Sequence, residues 1–598
     1  MASEQVAVEK LKRATAFHNE GRLKQALALY DEVLAGDAKN FDALCLSTLA
    51  EAAGGNFKAA ARRIETALAV RPDSRDAWNI KGDLLMSLGH YRDAVESFGR
   101  ALKIDPHAPD ILNNLGNALS HAGKQDEAVA RFDAAIALDP TLAPAHYNRG
   151  VALREIGRDE EAVSAFRNAI RAEPRFAEAL NNMAGSLMAL GRDEAALEAC
   201  REAIGIRPDY GRAWVNCALA LTNLGRREEA IESLQSALRA EPRNAEAWYR
   251  LGRLQQERAA FEAAVDSFQK ALECDPSHSD AGVNLSIALL RLGRFKEAWG
   301  YYDHRLIALA RLGGSAAVPR RPHPEQLGGR RRLRGQHLLV MGEQGLGDEI
   351  LFASMVPDIV DLAAKVTLLA DPRLVGLFRR SFPGAEVHPH NPADRRVIDS
   401  VDIRNRFLIG SLARLFRAES RDFPGTPYLL PDPSRLGEMR NRLDALGPGR
   451  KIGVMWRGGA GSAREQLRSV SLSDFAPLME RPAVWVSLSH LEDAAAEIDA
   501  FRRETGHRIA HWPEINRGAD YDDLAALLAA LDAVVCVTCS AAHFAAALGT
   551  ETHVLVPDVP NWYYGTKGSS LPWYGSMTLY RRSDSWPVDA IAESLWGA

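Results

Sequence analysis

Two arginines, a set of glycines and a hydroxyl-bearing strand end in the last third of the chain have the makings of an anion site. Arg457 and Arg468 are fixed positive charges that follow an apolar run, Lys451–Trp456. Between them Gly458, Gly459 and Gly461 allow a backbone to approach a ligand closely. A second apolar run, Ala533–Val537, ends at Thr538 and leads into Ser540 and His543 at the start of a predicted helix, Ser540–Leu548. The free N–H groups at a helix start favour phosphate oxygens, and Thr538, Ser540 and His543 can add hydrogen bonds. His543 also suits a plain role as a hydrogen-bonded helix histidine. Cys536 and Cys539 have the spacing of a redox or zinc half-site, but no second pair or histidine cluster completes a tetrahedral set.

Short apolar runs alternating with amphipathic stretches must position these groups, a pattern that argues for parallel sheets with crossover helices. The first such unit, residues 336–440, opens with strand His337–Met341 and the loop Gly342-Glu343-Gln344-Gly345-Leu346-Gly347-Asp348-Glu349. Helix Ile350–Ala364 and strand Val366–Leu369 follow. The second unit, residues 441–598, is expected to hold strands Lys451–Trp456, Val484–Leu488, Ala533–Val537 and Thr552–Val556, with helices Tyr521–Leu531 and Ser540–Leu548. Pro431 and Pro433 lie between the units. The aromatic cluster Trp562-Tyr563-Tyr564 and Trp573-Tyr574 suits either stacking on a ligand or closing the domain core.

The first half is built differently. Gly21, Gly55, Gly89, Gly123, Gly157, Gly191, Gly225, Ala259 and Gly293 recur every 34 residues, and an alanine follows each by five. A proline closes most of the units, from Pro72 to Pro276. This period and these anchors resemble the tetratricopeptide repeat, a helix–turn–helix unit that stacks into a solenoid. Nine repeats over residues 1–310 are expected, then a linker over 311–335 rich in Pro, Gly and Arg. A second 34-residue series, Asn114, Asn148, Asn182 and Asn216, continues at Arg250 and Asn284. Carboxamides carry a donor and an acceptor, so such a ladder can bond to an extended chain whatever its side chains; asparagine also suits packing within each repeat. In the last repeat Arg305 replaces a small residue, and Trp299, Tyr301 and Tyr302 suggest a helix that docks on the following domain.

Composition narrows the classes. A chain of 598 residues exceeds one core, and a net charge of −5 gives no reason to expect a nucleic-acid partner. The short basic run Arg330-Arg331-Arg332-Leu333-Arg334 reads as solvated linker. No apolar stretch is long enough to span a membrane. No basic segment with a following apolar run opens the chain, and its six cysteines are scattered, so a cytoplasmic location is expected.

The loop Gly342–Glu349, with Trp456-Arg457-Gly458, Arg468-Ser469 and Ala542-His543-Phe544-Ala545-Ala546-Ala547-Leu548-Gly549, resembles bacterial tetratricopeptide-linked glycosyltransferases related to the heptosyltransferases. Bacterial flagellin glycosyltransferases share this order of repeats and transferase, and the asparagine series resembles the ladder of protein O-linked N-acetylglucosamine transferase. The resemblance implies a helical solenoid followed by a GT-B domain of two facing Rossmann-like units. It implies a metal-independent inverting transfer from a nucleotide-activated sugar to a protein, without a further cofactor. Flagellin is the acceptor it suggests, and a nonulosonic acid such as pseudaminic acid, carried as a CMP ester, the donor. An inverting transfer needs a base. The family's catalytic acid aligns with Gly347-Asp348, which implies Asp348 as base and Glu349 as its substitute; Glu343 shares the loop, and aspartate also suits a helix cap. Arg457, Gly458, Arg468, Ser469, Thr538, Ser540 and His543 are implied to bind the donor, and the ladder Asn114 to Asn284 the acceptor. The family pattern has Asp-Thr where this chain has Thr538-Cys539, which leaves the phosphate to Ser540 and the donor open. Two other readings compete. Glycines at 342, 345 and 347 with Asp371 superficially suit a dinucleotide dehydrogenase, but they run in the reverse of the usual order. A non-catalytic adaptor with a degenerate transferase domain is the stronger rival.

Overall fold

The computed structural model describes residues 2–311, 329–343, 345–391, 395–458, 469–515, 520–583 and 585–597. The chain divides into two compact units, Met1–Asn244 and Ala245–Ala598.

In the first unit the described residues form fourteen α-helices, from Ala2–Asn19 to Arg227–Ala240, paired as helical hairpins. The 34-residue glycines mark the turns. Gly21, Gly55, Gly89, Gly123, Gly157, Gly191 and Gly225 have φ between 70° and 80°, the left-handed region where a side chain costs about 1–2 kcal/mol. In the second unit Ala259 makes the same turn at φ 58°. All nine partner alanines, Ala26 to Ala298, are 0% exposed, which explains why nothing larger occupies those positions.

The repeats also carry a pairing not evident from the spacing alone. A Cβ on Gly82, Gly116, Gly150 or Gly252 would lie 2.4, 2.4, 2.6 or 2.7 Å from the ring of Phe98, Phe132, Phe166 or Phe268. Where the first helix carries Ala184 or Ala218 instead, the residue sixteen places on is the smaller Cys200 or Leu234. Gly116→Ala should therefore destabilise the unit by about 1–3 kcal/mol through overpacking. Gly99→Ala, in the Tyr91–Ile104 helix with no atom near its added methyl, should stabilise it by about 0.5–1 kcal/mol. Urea unfolding of the two variants would show shifts of opposite sign.

The second unit opens with helices Ala245–Glu257, Phe261–Cys274, Ser279–Arg291, Phe295–Tyr302 and His304–Arg311. The last repeat docks as its departures from the pattern suggest. Trp299 is 1% exposed, donates to the Arg417 carbonyl at 2.7 Å and meets Phe352 and Trp562 edge-on. Arg291 donates to the Pro560 carbonyl at 2.9 Å. The last repeats thus share a core with the α/β part rather than ending at residue 310.

Two sheets follow. The first comprises β1 (His337–Met341), β2 (Lys365–Ala370), β3 (Ala385–Pro389) and β4 (Arg406–Leu408), all parallel, in the order β3-β2-β1-β4. The second comprises β5 (Arg450–Met455), β6 (Ala483–Ser487), β7 (Ile509–His511), β8 (Ala533–Val537), β9 (Glu551–Val556), β10 (Ser570–Leu571) and β11 (Tyr574–Arg581). Its order is β10-β11-β9-β8-β5-β6-β7, parallel except for β10 against β11. The helix expected over Ile350–Ala364 is two helices, Leu346–Ala353 and Val356–Leu362. Pro357 lacks the N–H a continuous helix needs, but it suits the first turn of a new one. Helix Pro433–Asp444, capped by the Asp432 carboxylate, runs across the expected boundary at 440 and packs on Asp522–Ala530.

Candidate functional site

Strand order alone singles out two places. In the first sheet the chain starts at β1, proceeds to β2 and β3 on one side, and returns to β4 on the other. In the second it starts at β5, runs to β6 and β7, and returns to β8 and β9 on the opposite side. Parallel sheets bind ligands at such switch points, beyond the carboxyl ends of the strands. The loop Gly342–Glu349 leaves β1 at the first switch point. Arg457 follows β5 and Thr538 follows β8 at the second, level with each other by the register Met455↔Cys536.

The two places meet. A Cβ on Gly347 would lie 3.4 Å from His543 Cδ2 and 3.6 Å from Ser540 Cα. Helix Leu346–Ala353 therefore rests on helix Ser540–Leu548, and Asp348 sits in the first turn of the former. Its carboxylate accepts the Gly345 N–H, the capping contact its position suggests. Burial nevertheless raises its pKa to about 6, with the Glu343 charge adding to the rise. Glu349 is buried more deeply, against Gly342. It accepts the Asp371 N–H at 2.8 Å, and burial raises it to about 7. Burial thus brings both carboxyl groups toward neutrality, a shift common at functional sites.

At the second switch point Ser540 begins its helix, with Cys539 at the cap position making no side-chain cap bond. Thr538 is buried, and its Oγ1 has no hydrogen-bond partner among the described residues. His543 is enclosed, with Nδ1 3.2 Å from the Tyr574 hydroxyl and Nε2 3.4 Å from that of Tyr564. Burial lowers its pKa to about 3, so it stays neutral. Tyr564, Trp573 and Tyr574 are themselves buried, which gives these aromatics the core-closing role.

Arg457, Gly458 and Ser469 cluster beyond the end of β5. Arg457 donates to Asp493 at 2.6 Å and Glu497 at 3.0 Å, and holds the Asp493 carboxyl below its ordinary range. The Gly458 N–H points at Ser469 Oγ at 3.4 Å. Gly459, Gly461 and Arg468 lie outside the described residues.

In the first unit the asparagine series links successive repeats. The Nδ2 of Asn114, Asn148, Asn182 and Asn216 donates to Asn79, Asn113, Tyr147 and Asn181, each 35 residues earlier, at 3.2, 2.9, 2.8 and 2.9 Å. These acceptors form a 34-residue series of their own, so the two ladders lock successive first helices together. The amide oxygens of Asn114, Asn148 and Asn216 have no partner among the described residues. In the second unit the pattern changes: Asn284 donates to Asp280 on its own helix at 2.8 Å, and Arg250 pairs with Glu246 at 2.6 Å.

Comparison with known proteins agrees with the helical half. A family model described as tetratricopeptide repeat matches residues 49–89, 81–143, 147–211, 218–279 and 255–310. Residues 49–310 therefore carry tetratricopeptide repeats. Protein FlbA of Caulobacter vibrioides is 32% identical over 306 residues, 49% of this chain and 50% of that protein. The chain thus spans about half the length of this curated relative. Among solved structures, MamA is 27% identical over 29% of this chain and 94% of its own, with a TM-score of 0.27. YrrB, described as a TPR protein with an unusual peptide-binding site, is 24% identical over 31% of this chain and 96% of its own, also at 0.27. No helix among the described residues is long and apolar enough to cross a membrane.

Two pairings that shape the site were not legible in the sequence, although it singles out the residues that make them. Tyr564 and Tyr574 reach His543 from 21 and 31 positions away. Arg305 forms a two-bond pair with Glu343, at 2.9 and 2.6 Å. Its replacement of a small repeat residue was the available signal, although nothing in the sequence named its partner.

Proposed function

We propose that this chain is a cytoplasmic protein O-glycosyltransferase of the inverting, metal-independent GT-B type. The observation that carries the reading is the coincidence of both switch points with the motif loops, and the close packing of Gly347, next to Asp348, on Ser540, where an added Cβ would lie 3.6 Å from the Ser540 Cα. In this reading the nucleotide diphosphate or monophosphate of the donor lies at the start of helix Ser540–Leu548, where free N–H groups and the Thr538 and Ser540 hydroxyls face it. Asp348 takes the proton of an acceptor Ser or Thr hydroxyl as its oxygen bonds to the anomeric carbon and the nucleotide leaves with the bonding electrons. A carboxylate with a pKa near 6 is ionised at cytoplasmic pH and still basic enough for that step. Arg457 completes the donor site while its two carboxylates hold it in place. The tetratricopeptide repeats bring the acceptor protein, with the unpartnered amide oxygens of the asparagine ladder facing its backbone N–H groups. Flagellin as acceptor and a CMP-activated nonulosonic acid as donor follow from the family resemblance.

The adaptor reading draws support from two features: His543 is closed in by tyrosines, and Arg457 is occupied by Asp493 and Glu497. Intact mass spectrometry of candidate acceptors from cells with and without the gene separates the readings. A transferase leaves a fixed mass increment that disappears with the gene; an adaptor leaves acceptor masses unchanged.

A further inference from the structure

The end of the repeat array reaches into the loop that carries Asp348. Arg305, on the His304–Arg311 helix, is 8% exposed. Its guanidinium donates to both oxygens of Glu343, to Asp303 at 2.9 Å, to the Tyr302 carbonyl at 3.1 Å and to Ser411 Oγ at 3.0 Å, and it lies 4.1 Å over the Tyr302 ring. Glu343 also accepts the Gly410 N–H at 2.8 Å, and a Cβ on Gly410 would lie 2.6 Å from that carboxylate. The Ser411 hydroxyl donates to Asp303 at 2.7 Å. Two elements, the last repeat and the turn after β4, therefore close on one carboxylate, five residues before Asp348. An arginine fork, unlike an ammonium, can satisfy this many acceptors at fixed angles.

We propose that Arg305 is a positioning residue: through Glu343 it fixes the start of the Leu346–Ala353 helix, and so ties the terminal repeat to the candidate base. The proposal rests on the transferase reading for its catalytic meaning, but the clamp itself has an independent readout. The groups that act on Asp348 are the Glu343 charge and the Gly345 N–H; Glu349 follows it in the chain, and Ser540 and neutral His543 of the facing helix pack against the neighbouring Gly347. Asp371 and Arg373 act on Glu349. Glu343 is the charge that raises Asp348, and Arg305 is the charge that offsets Glu343. Breaking the pair from its two ends should therefore move Asp348 in opposite directions, which loss of packing alone would not do.

The test uses the full chain with Arg305→Gln, Arg305→Lys and Glu343→Gln. Hydrogen exchange should quicken at least tenfold in the Leu346–Ala353 amides and stay unchanged in β9, with Arg305→Lys intermediate. Unchanged exchange at 346–353 in a folded Arg305→Lys variant would overturn the clamp, whether or not the protein transfers sugar. If Arg305→Gln loses β9 protection as well, Arg305→Lys alone decides. In transfer assays the acid limb of the pH profile should move up for Arg305→Gln and down for Glu343→Gln. Movement in the same direction, or none, would reduce Arg305 to a packing role. Absence of transfer by the unaltered chain would overturn the transferase reading, while exchange still decides the clamp.

Discussion

Asp348→Asn should lower the rate of transfer about 10²–10⁴-fold, the usual contribution of a positioned base, and leave donor affinity unchanged. The same substitution should stabilise the protein. In the unfolded chain an aspartate titrates near 3.8, whereas burial holds Asp348 at about 6. An acid with a raised folded pKa binds more protons in the folded state between those two values, so its ionisation costs stability as pH rises from about 4 to 6, and the full cost persists above. Asparagine accepts the Gly345 N–H without that cost. The two proteins should unfold alike in urea near pH 3.5, and the variant should gain stability of order 1–3 kcal/mol at pH 8. A gain in stability joined to a loss of activity is what a strained functional carboxylate gives. A variant destabilised at pH 8 would make Asp348 a cap and no more.

Cutting the chain after Asn244 should separate acceptor capture from chemistry. The piece Ala245–Ala598 keeps Trp299 in its core, Arg291 on Pro560 and Arg305 on Glu343. It should fold, bind donor as the full chain does and modify a short acceptor peptide. Toward an intact acceptor protein its kcat/KM should fall about 10²–10⁴-fold, the scale on which a tethered second binding site raises effective concentration. A cut at residue 311 should fare worse. It removes Trp299, at a cost of about 3–5 kcal/mol for a large core side chain, and it strands Glu343, at about 3–5 kcal/mol for a broken buried pair. The longer deletion should therefore aggregate, and a soluble 311–598 piece with normal donor affinity would contradict the shared core.

The contrast between those two cuts shows what the sequence could convey. Each repeat glycine answers a local demand for positive φ, and each repeat alanine a demand for zero exposed volume, so both recur strictly and can be read. Trp299 was legible as a departure from that rule. The strands β1, β5, β8 and β9 were legible because each is buried over most of its length. By contrast β4 and β7 have three residues each and carry no period. The asparagines suggested both peptide binding and packing, and the link between repeats was hidden because their acceptors sit 35 residues back. His543 was legible as a residue but not as an enclosed one, since its tyrosines come from the chain end. Pairings between distant segments, such as Arg305 with Glu343, have no local signature. The site was visible as motifs, and its wiring was not.

The most direct measurement is transfer by the purified full-length chain: acceptor protein and nucleotide-activated sugars are mixed with it, and intact mass and released nucleotide are followed together. A sugar-sized increment on the acceptor, equimolar with free nucleotide and absent with Asp348→Asn, is the result expected. Acceptor that binds to the repeats yet keeps its mass with every donor, with no nucleotide released, would contradict the transferase account and leave an adaptor.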